Sequence, residues 1–266
     1  MKWVEANGVM LRWNLQGSGA GPVVVLIHEA GGSLESWEAV IANLHSGYRV
    51  LRYDQRGFGM SETARELSLP RMVIDLIALL DALGLQEPVH LVGTAIGGSI
   101  ALAAAALYPD RVCSVFATSP VTGGLPVSAH ESLNRRAATV KAEGMRAVTD
   151  VSLLRSWPVE LRKQADAFTQ YRNRYLTNDP IGFAALTRAF LEIDLGHLLP
   201  RIQCPAMVVG CRYDAVKPPG ECASAAGQIP QGRYAELDAG HFAALQEPQA
   251  FCALLTEFLE SVHVSA

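Results

Sequence analysis

The stretch Val89-His90-Leu91-Val92-Gly93-Thr94-Ala95-Ile96-Gly97-Gly98 decides the fold. Four residues of strand character run into two glycines that bracket one central position, and the small-residue segment Gly97–Leu107 that follows has helical character. A strand–G-x-S-x-G–helix turn lifts its central residue to the C-terminal edge of a parallel sheet, beside a helix N-terminus. The glycines are required because that central residue sits on a strained turn where neighbouring side chains would clash. Here both glycines are in place and the central residue is Ala95, which carries neither oxygen nor sulfur. Taken alone, the segment also fits a generic Gly-rich strand-to-helix turn. A phosphate loop fits less well, because no G-K-[ST] follows.

Upstream, Asn7-Gly8 is a hairpin signal between the short alternating runs Lys2–Glu5 and Val9–Leu15. Val23–Ile27 is wholly apolar with four β-branched residues, as expected of a strand buried on both faces. A helix is expected at Ser36–Leu44 and a strand at Arg49–Tyr53. Arg71–Leu83 has helical apolar periodicity, with Gly84 placed to end it. Val112–Ala117 is the next strand. This alternation argues for a parallel sheet with helices on both faces. The rhythm breaks after Thr118. Residues 121–199 hold no convincing strand, and helical patterns fit Glu131–Glu143, Val159–Tyr175 and Gly182–Asp194. Strands resume at Ala206–Gly210 and Arg233–Leu237, and a last helix spans Pro248–Val262. The expected organisation is an eight-stranded, mostly parallel α/β core, residues 1–120 and 200–266, with a helical cap, residues 121–199, inserted after strand 6.

Two further motifs stand at strand ends. Ala206–Gly210 leads into Cys211-Arg212-Tyr213-Asp214, and Arg233–Leu237 leads into Asp238-Ala239-Gly240-His241. Acid and histidine therefore follow the Ala95 turn in the chain order nucleophile position, acid, histidine, each after a strand. A lone Asp or His in a loop is most often a solvated residue. Three elements in this order point to a histidine base oriented by a carboxylate.

Over nearly its whole length the chain resembles the α/β-hydrolase fold family, and is most similar to the branch of 3-oxoadipate enol-lactonases and esterases. The resemblance is carried by His28 with Gly31-Gly32 after the third strand, the turn Asp54-Gln55-Arg56-Gly57-Phe58-Gly59-Met60-Ser61, the Ala95 turn, Gly210 to Pro218 around Asp214, and Asp238 to His241. It implies His241 and Asp214 as catalytic pair, Ala95 at the nucleophile position, and an oxyanion hole made by the main-chain N–H groups of Ala30 and Ile96. It implies no metal and no organic cofactor. In such a family the Asp54–Ser61 turn is a scaffold, so neither Asp54 nor Arg56 is assigned to catalysis. The chain departs from the family pattern at Ala95 and at Glu29, which stands where the H-G-x-G motif has glycine. Main-chain donors do not depend on side chains, so the hole can survive both changes.

Two explanations of Ala95 stay open. One is an inactivating replacement of serine in a hydrolase of a small ester, a lactone or a C–C bond beside a ketone. The other is a serine-less enzyme in which His241 and Asp214 form a general base for water activation, lyase or cofactor-free oxygenase chemistry. A non-catalytic small-molecule receptor is the lesser alternative. Glu29 either points to solvent or a salt bridge, or lines the pocket. Glu29, His28 and Trp157 are the candidate substrate-binding residues, although His28 fits a loop-supporting role better. Trp157, Phe168, Tyr171, Phe183 and Phe190 supply apolar mass in the insertion. Arg135, Arg136, Arg155, Arg172 and Arg174 could meet a substrate carboxylate, with solvated helix faces the commoner role. His45, His90, His130, His197 and His263 have no motif around them and are read as structural or surface residues, and Cys113 as a small core residue.

The composition narrows the classes further. Hydrophobic residues make up 50% and charged residues 18% of 266, enough for a substantial core. A net charge of −4 offers no basic face for nucleic acid. No apolar run reaches the length a bilayer demands, and the start MKWVEANGV lacks a leader pattern. Five cysteines, none in a C-x-x-C pair, fit reduced thiols in the cytoplasm and offer no zinc spacing. The expected partner is a small-molecule substrate, with a homodimer left open.

Overall fold

The computed structural model describes residues 2–17, 21–44, 47–162 and 165–263. Eight strands form one sheet: β1 (Lys2–Ala6), β2 (Val9–Gln16), β3 (Val23–Ile27), β4 (Arg49–Tyr53), β5 (Val89–Thr94), β6 (Val112–Thr118), β7 (Ala206–Cys211) and β8 (Gly232–Leu237). Their order is β1-β2-β4-β3-β5-β6-β7-β8. β1 and β2 pair antiparallel through the Asn7-Gly8 turn, where both residues take positive φ (50° and 65°), as a type I′ hairpin requires. β2 meets β4 antiparallel, and every later pair is parallel. Alternation along β3 explains its unbroken apolar run. Val23, Val25 and Ile27 enter one core, and Val24 and Leu26 enter the core on the opposite face.

The helices are α1 (Glu38–Asn43), α2 (Leu69–Ala82), α3 (Ile96–Leu107), α4 (Val127–Glu143), α5 (Arg146–Ser156), α6 (Ala165–Leu176), α7 (Pro180–Ala189), α8 (Pro219–Gly227), α9 (Ala243–Gln246) and α10 (Pro248–His263). Gly84 ends α2 as its position suggests, with φ +70° and its N–H on the Asp81 carbonyl. The strands agree with the sequence reading to within a residue or two, and the insertion differs more. The segment expected as one helix over Val159–Tyr175 is a 3-10 turn, Val159–Leu161, followed by α6. Pro158 caps the turn, and Arg162 leaves helical geometry to put its Nε on the Trp157 carbonyl (3.1 Å). Residues 163 and 164, inside that expectation, lie outside the described residues. The last inserted helix starts earlier than expected, at Pro180, because Asp179 caps it by accepting from Ile181 and Gly182 N–H. It gives way at Phe190 to a 3-10 turn, Phe190–Glu192. Helices α5, α8 and α9 have no counterpart in the sequence reading, and the Ser36–Leu44 helix is split into a 3-10 turn, Leu34–Trp37, and α1.

Strand order reverses at β3, with β4 laid down on one side and β5 on the other. The loops leaving the C-terminal ends of β3 and β5 therefore diverge at a switch point, the usual ligand position of such sheets. Close packing fixes its geometry. A Cβ on Gly97 would run into the Ile27 carbonyl, so α3 can press onto β3 only with glycine there, and one on Gly98 would sit tightly, 3.2 Å from the Gly93 carbonyl of β5.

Candidate active site

Ala95 joins β5 to α3 at φ 52°, ψ −118°, a conformation L-residues avoid and one that costs roughly 1–3 kcal/mol. Its N–H bonds the Thr118 carbonyl (2.9 Å), and its carbonyl accepts from Ser99 N–H (3.1 Å). The Ser99 hydroxyl ties this turn to the next loop through the Val121 carbonyl (2.8 Å). Thr94, beside Ala95, turns away to Thr118 (Oγ1–Oγ1 2.9 Å). The Ile96 amide is one of the N-terminal donors of α3, which have no partner within the helix.

A ladder of main-chain bonds carries this rim across the sheet. Beyond Ala95–Thr118 it continues through Ser119 N–H to the Val209 carbonyl (2.9 Å), Arg212 N–H to Leu237 (2.9 Å) and Tyr213 N–H to Ala239 (3.0 Å). The loops after β5, β6, β7 and β8 are thereby stitched along one edge. Asp214 and His241 stand on that edge and meet: Nδ1 of His241 lies 2.8 Å from Asp214 Oδ2. The other carboxylate oxygen accepts from the N–H groups of Val216 (2.7 Å) and Lys217 (2.8 Å). Burial pushes the Asp214 carboxyl up, but facing His241, its hydrogen bond, the Lys217 amide and the Ser119 hydroxyl outweigh this and hold it below its ordinary value. An ionised carboxylate only accepts, so Nδ1 carries the proton and Nε2 keeps its lone pair. The loop before His241 is held by Gln246, whose amide accepts from Gly240 N–H (2.8 Å) and donates to the Ser156 carbonyl (3.0 Å).

The Asp54–Ser61 turn supports the opposite wall. Asp54 accepts from Arg12 Nε (2.6 Å), Leu34 N–H (2.7 Å) and Met60 N–H (2.7 Å). Gln55 N–H donates to His28 Nε2 (3.0 Å), which leaves the His28 proton on Nδ1, directed at the Glu29 carbonyl (2.7 Å). His28 is fully buried with both ring nitrogens occupied by main chain, so it supports the loop and has no group free for a ligand. Trp157 is also displaced from the role assigned to it. Its indole N–H donates to the Leu161 carbonyl (3.0 Å), and its ring packs 5.5 Å from Phe168 and 5.7 Å from Tyr171, inside the insertion.

Glu29 does not reach solvent and has no basic partner among the described residues, so the first of its two expected placements is corrected. It is 2% exposed, and its carboxylate folds back beneath Gly32 to accept from the Ser36 hydroxyl (2.8 Å). Any Cβ on Gly32 would overlap it. The half-buried Ala30 follows on the turn closed by Gly32 N–H to the Glu29 carbonyl (3.0 Å). Helix α6 lies over this turn. Asn178 Nδ2 donates to the Gly31 carbonyl (2.9 Å), and the Tyr175 ring fills the place a Gly31 side chain would take. Tyr171, on the same helix face, packs against Phe242 (5.1 Å) and turns its phenol toward Glu29. Sequence reasoning counted Tyr171 only as apolar mass. Nothing local signals its polar end, because Glu29 is far away in the chain.

Of the candidate arginines, Arg135 and Arg172 form surface pairs with Glu131 and Asp150, and Arg155 reaches the Ala215 carbonyl (3.3 Å). Arg136 bonds the Tyr175 hydroxyl (3.1 Å), and Arg174 lies 5.9 Å from the Tyr171 ring centre. Cys113 is half-buried with Sγ 3.3 Å from His90 Nδ1, so it is not a core residue. His45 lies outside the described residues, as does the His263 side chain. Among the described residues no group of three His, Cys, Asp or Glu side chains could hold a metal, and no helix is long and apolar enough to cross a membrane.

Residues 22–248 match the alpha/beta hydrolase fold family, and the chain belongs to it. It is 25% identical over 257 residues to 3-oxoadipate enol-lactonase 1 of Acinetobacter baylyi, covering 96% of this chain and 95% of that one. Among solved structures, the enol-lactonase from Burkholderia xenovorans LB400 superposes with a TM-score of 0.92 at 29% identity, covering 97% of this chain and all of that one. A thermophilic esterase from Thermogutta terrifontis gives 0.92 at 28% identity, covering 99% and 100%.

Proposed function

We propose that this chain is an enzyme that hydrolyses a small ester or lactone, or a C–C bond beside a ketone, and that His241 with Asp214 acts directly on water. The observation that carries the reading is the intact His241–Asp214 pair on the same rim as a residue 95 that ends in a methyl group. With no oxygen at 95, no acyl-enzyme forms there. His241 Nε2 takes a proton from water as the water oxygen attacks the carbonyl carbon, and the amides of Ala30 and Ile96 meet the charge that develops on the carbonyl oxygen. The proton on Nε2 then passes to the leaving group. Residues 121–199 act as a cap that shields the reacting groups from bulk solvent while one water is held at His241. Likeness to enol-lactonases and an esterase supports an acyl or enol-ester substrate.

The test is hydrolysis of p-nitrophenyl acetate and a small-lactone panel by wild type and His241→Ala. Loss of about 10²–10⁴ in kcat on removing the base is expected. Equal turnover in the two proteins contradicts the reading.

A further inference from the structure

We infer that Tyr171 is a further catalytic residue: its hydroxyl donates to the substrate oxygen on which negative charge develops, as a third donor beside the amides of Ala30 and Ile96. This rests on the reading of His241 as the base at this rim.

Three observations support this assignment. First, Tyr171 is 1% exposed, yet its hydroxyl makes no hydrogen bond of ordinary geometry. A buried hydroxyl whose one polar neighbour, the Glu29 carboxylate, lies outside ordinary hydrogen-bond geometry calls for an explanation. Second, the ring packs on Phe242, the neighbour of His241, while the phenol faces Glu29, the neighbour of Ala30. Third, Asn178, two residues past the end of α6, donates both to the Gly31 carbonyl and to the Tyr175 carbonyl, which ties the end of this helix to the turn that carries Ala30. Burial, and then the Glu29 carboxylate, push the Tyr171 hydroxyl well above the ordinary range of a tyrosine. It therefore stays a neutral donor throughout the working pH range. Glu29 already accepts from Ser36, and rotation of the phenolic hydrogen about the Cζ–Oη bond is enough to redirect it to a ligand.

The step balances without any transfer from Tyr171. As the water oxygen bonds to the carbonyl carbon, the π electrons move to the carbonyl oxygen, which accepts from Tyr171 O–H. On collapse the bond to the leaving group breaks, and the proton held by His241 goes to that group. The ligand class is a carbonyl compound that passes through a tetrahedral oxyanion.

The experiment compares Tyr171→Phe with wild type in three measurements. For p-nitrophenyl acetate, kcat is expected to fall about 10- to 100-fold, with KM changed by less than about threefold. For methylphosphonate, a tetrahedral anion, calorimetric affinity is expected to weaken at least about tenfold. Thermal stability is expected to change little, because the hydroxyl that the variant removes has no hydrogen bond of ordinary geometry. Unchanged kcat and unchanged methylphosphonate affinity overturn the inference alone. Full turnover in His241→Ala overturns the general-base reading, whatever Tyr171→Phe does. A wild-type protein that neither turns over the ester nor binds methylphosphonate overturns both.

Discussion

Ala95→Ser is expected to raise kcat/KM for p-nitrophenyl acetate by about 10²–10⁴-fold and to introduce a burst of p-nitrophenol that wild type lacks. The geometry for this gain is already present. Residue 95 holds the strained backbone of a nucleophile position, Ala95 N–H and the Ser99 contacts keep it there, and His241 presents Nε2 on the same rim. Serine adds one oxygen at a site that is 3% exposed and bordered by glycines at 93 and 97. Stopped-flow absorbance separates burst from steady state. A serine variant no faster than wild type, with a stable fold, means that Nε2 does not face residue 95.

Asp214→Asn is expected to lower wild-type turnover by about 10²–10⁴-fold while leaving the fold intact. Two main-chain amides clamp one Asp214 oxygen, and the other orients the imidazole. An amide can present N–H to Nδ1, which moves the histidine proton to Nε2 and removes the base. Stability gives an independent sign. Because the folded carboxyl lies below its ordinary value, its contribution is fully present above pH 4 or so and is lost as pH falls through the lowered folded value. Wild type is therefore expected to exceed Asp214→Asn in denaturant stability near neutrality, and the two curves should converge in strong acid. Parallel curves throughout contradict the assignment.

Legibility from sequence followed the range of the interaction. Val23–Ile27 declares a two-sided strand because both faces are apolar, Gly84 marks a turn whose positive φ favours glycine, and Gly93 and Gly97 mark a turn packed too closely for a side chain. The order Ala95, Asp214, His241 was readable because each follows a strand and parallel strands end on one rim. Glu29 was ambiguous, because its surroundings come from Ser36, from the Gly32 backbone and from a tyrosine on α6. Trp157 and Tyr171 both read as apolar mass. Which one looks inward depends on the break at Arg162, and no periodicity records that break. Helix α5 was missed because Arg146–Ser156 leaves Val151 and Leu154 exposed and so lacks a clean apolar stripe.

Intact-mass spectrometry of the wild-type protein, quenched during turnover of p-nitrophenyl acetate, tests the central claim most directly. Direct attack by His241-activated water predicts steady product release with only the unmodified protein mass. An acyl adduct that forms and decays at the rate of turnover would place the nucleophile on the protein and contradict it.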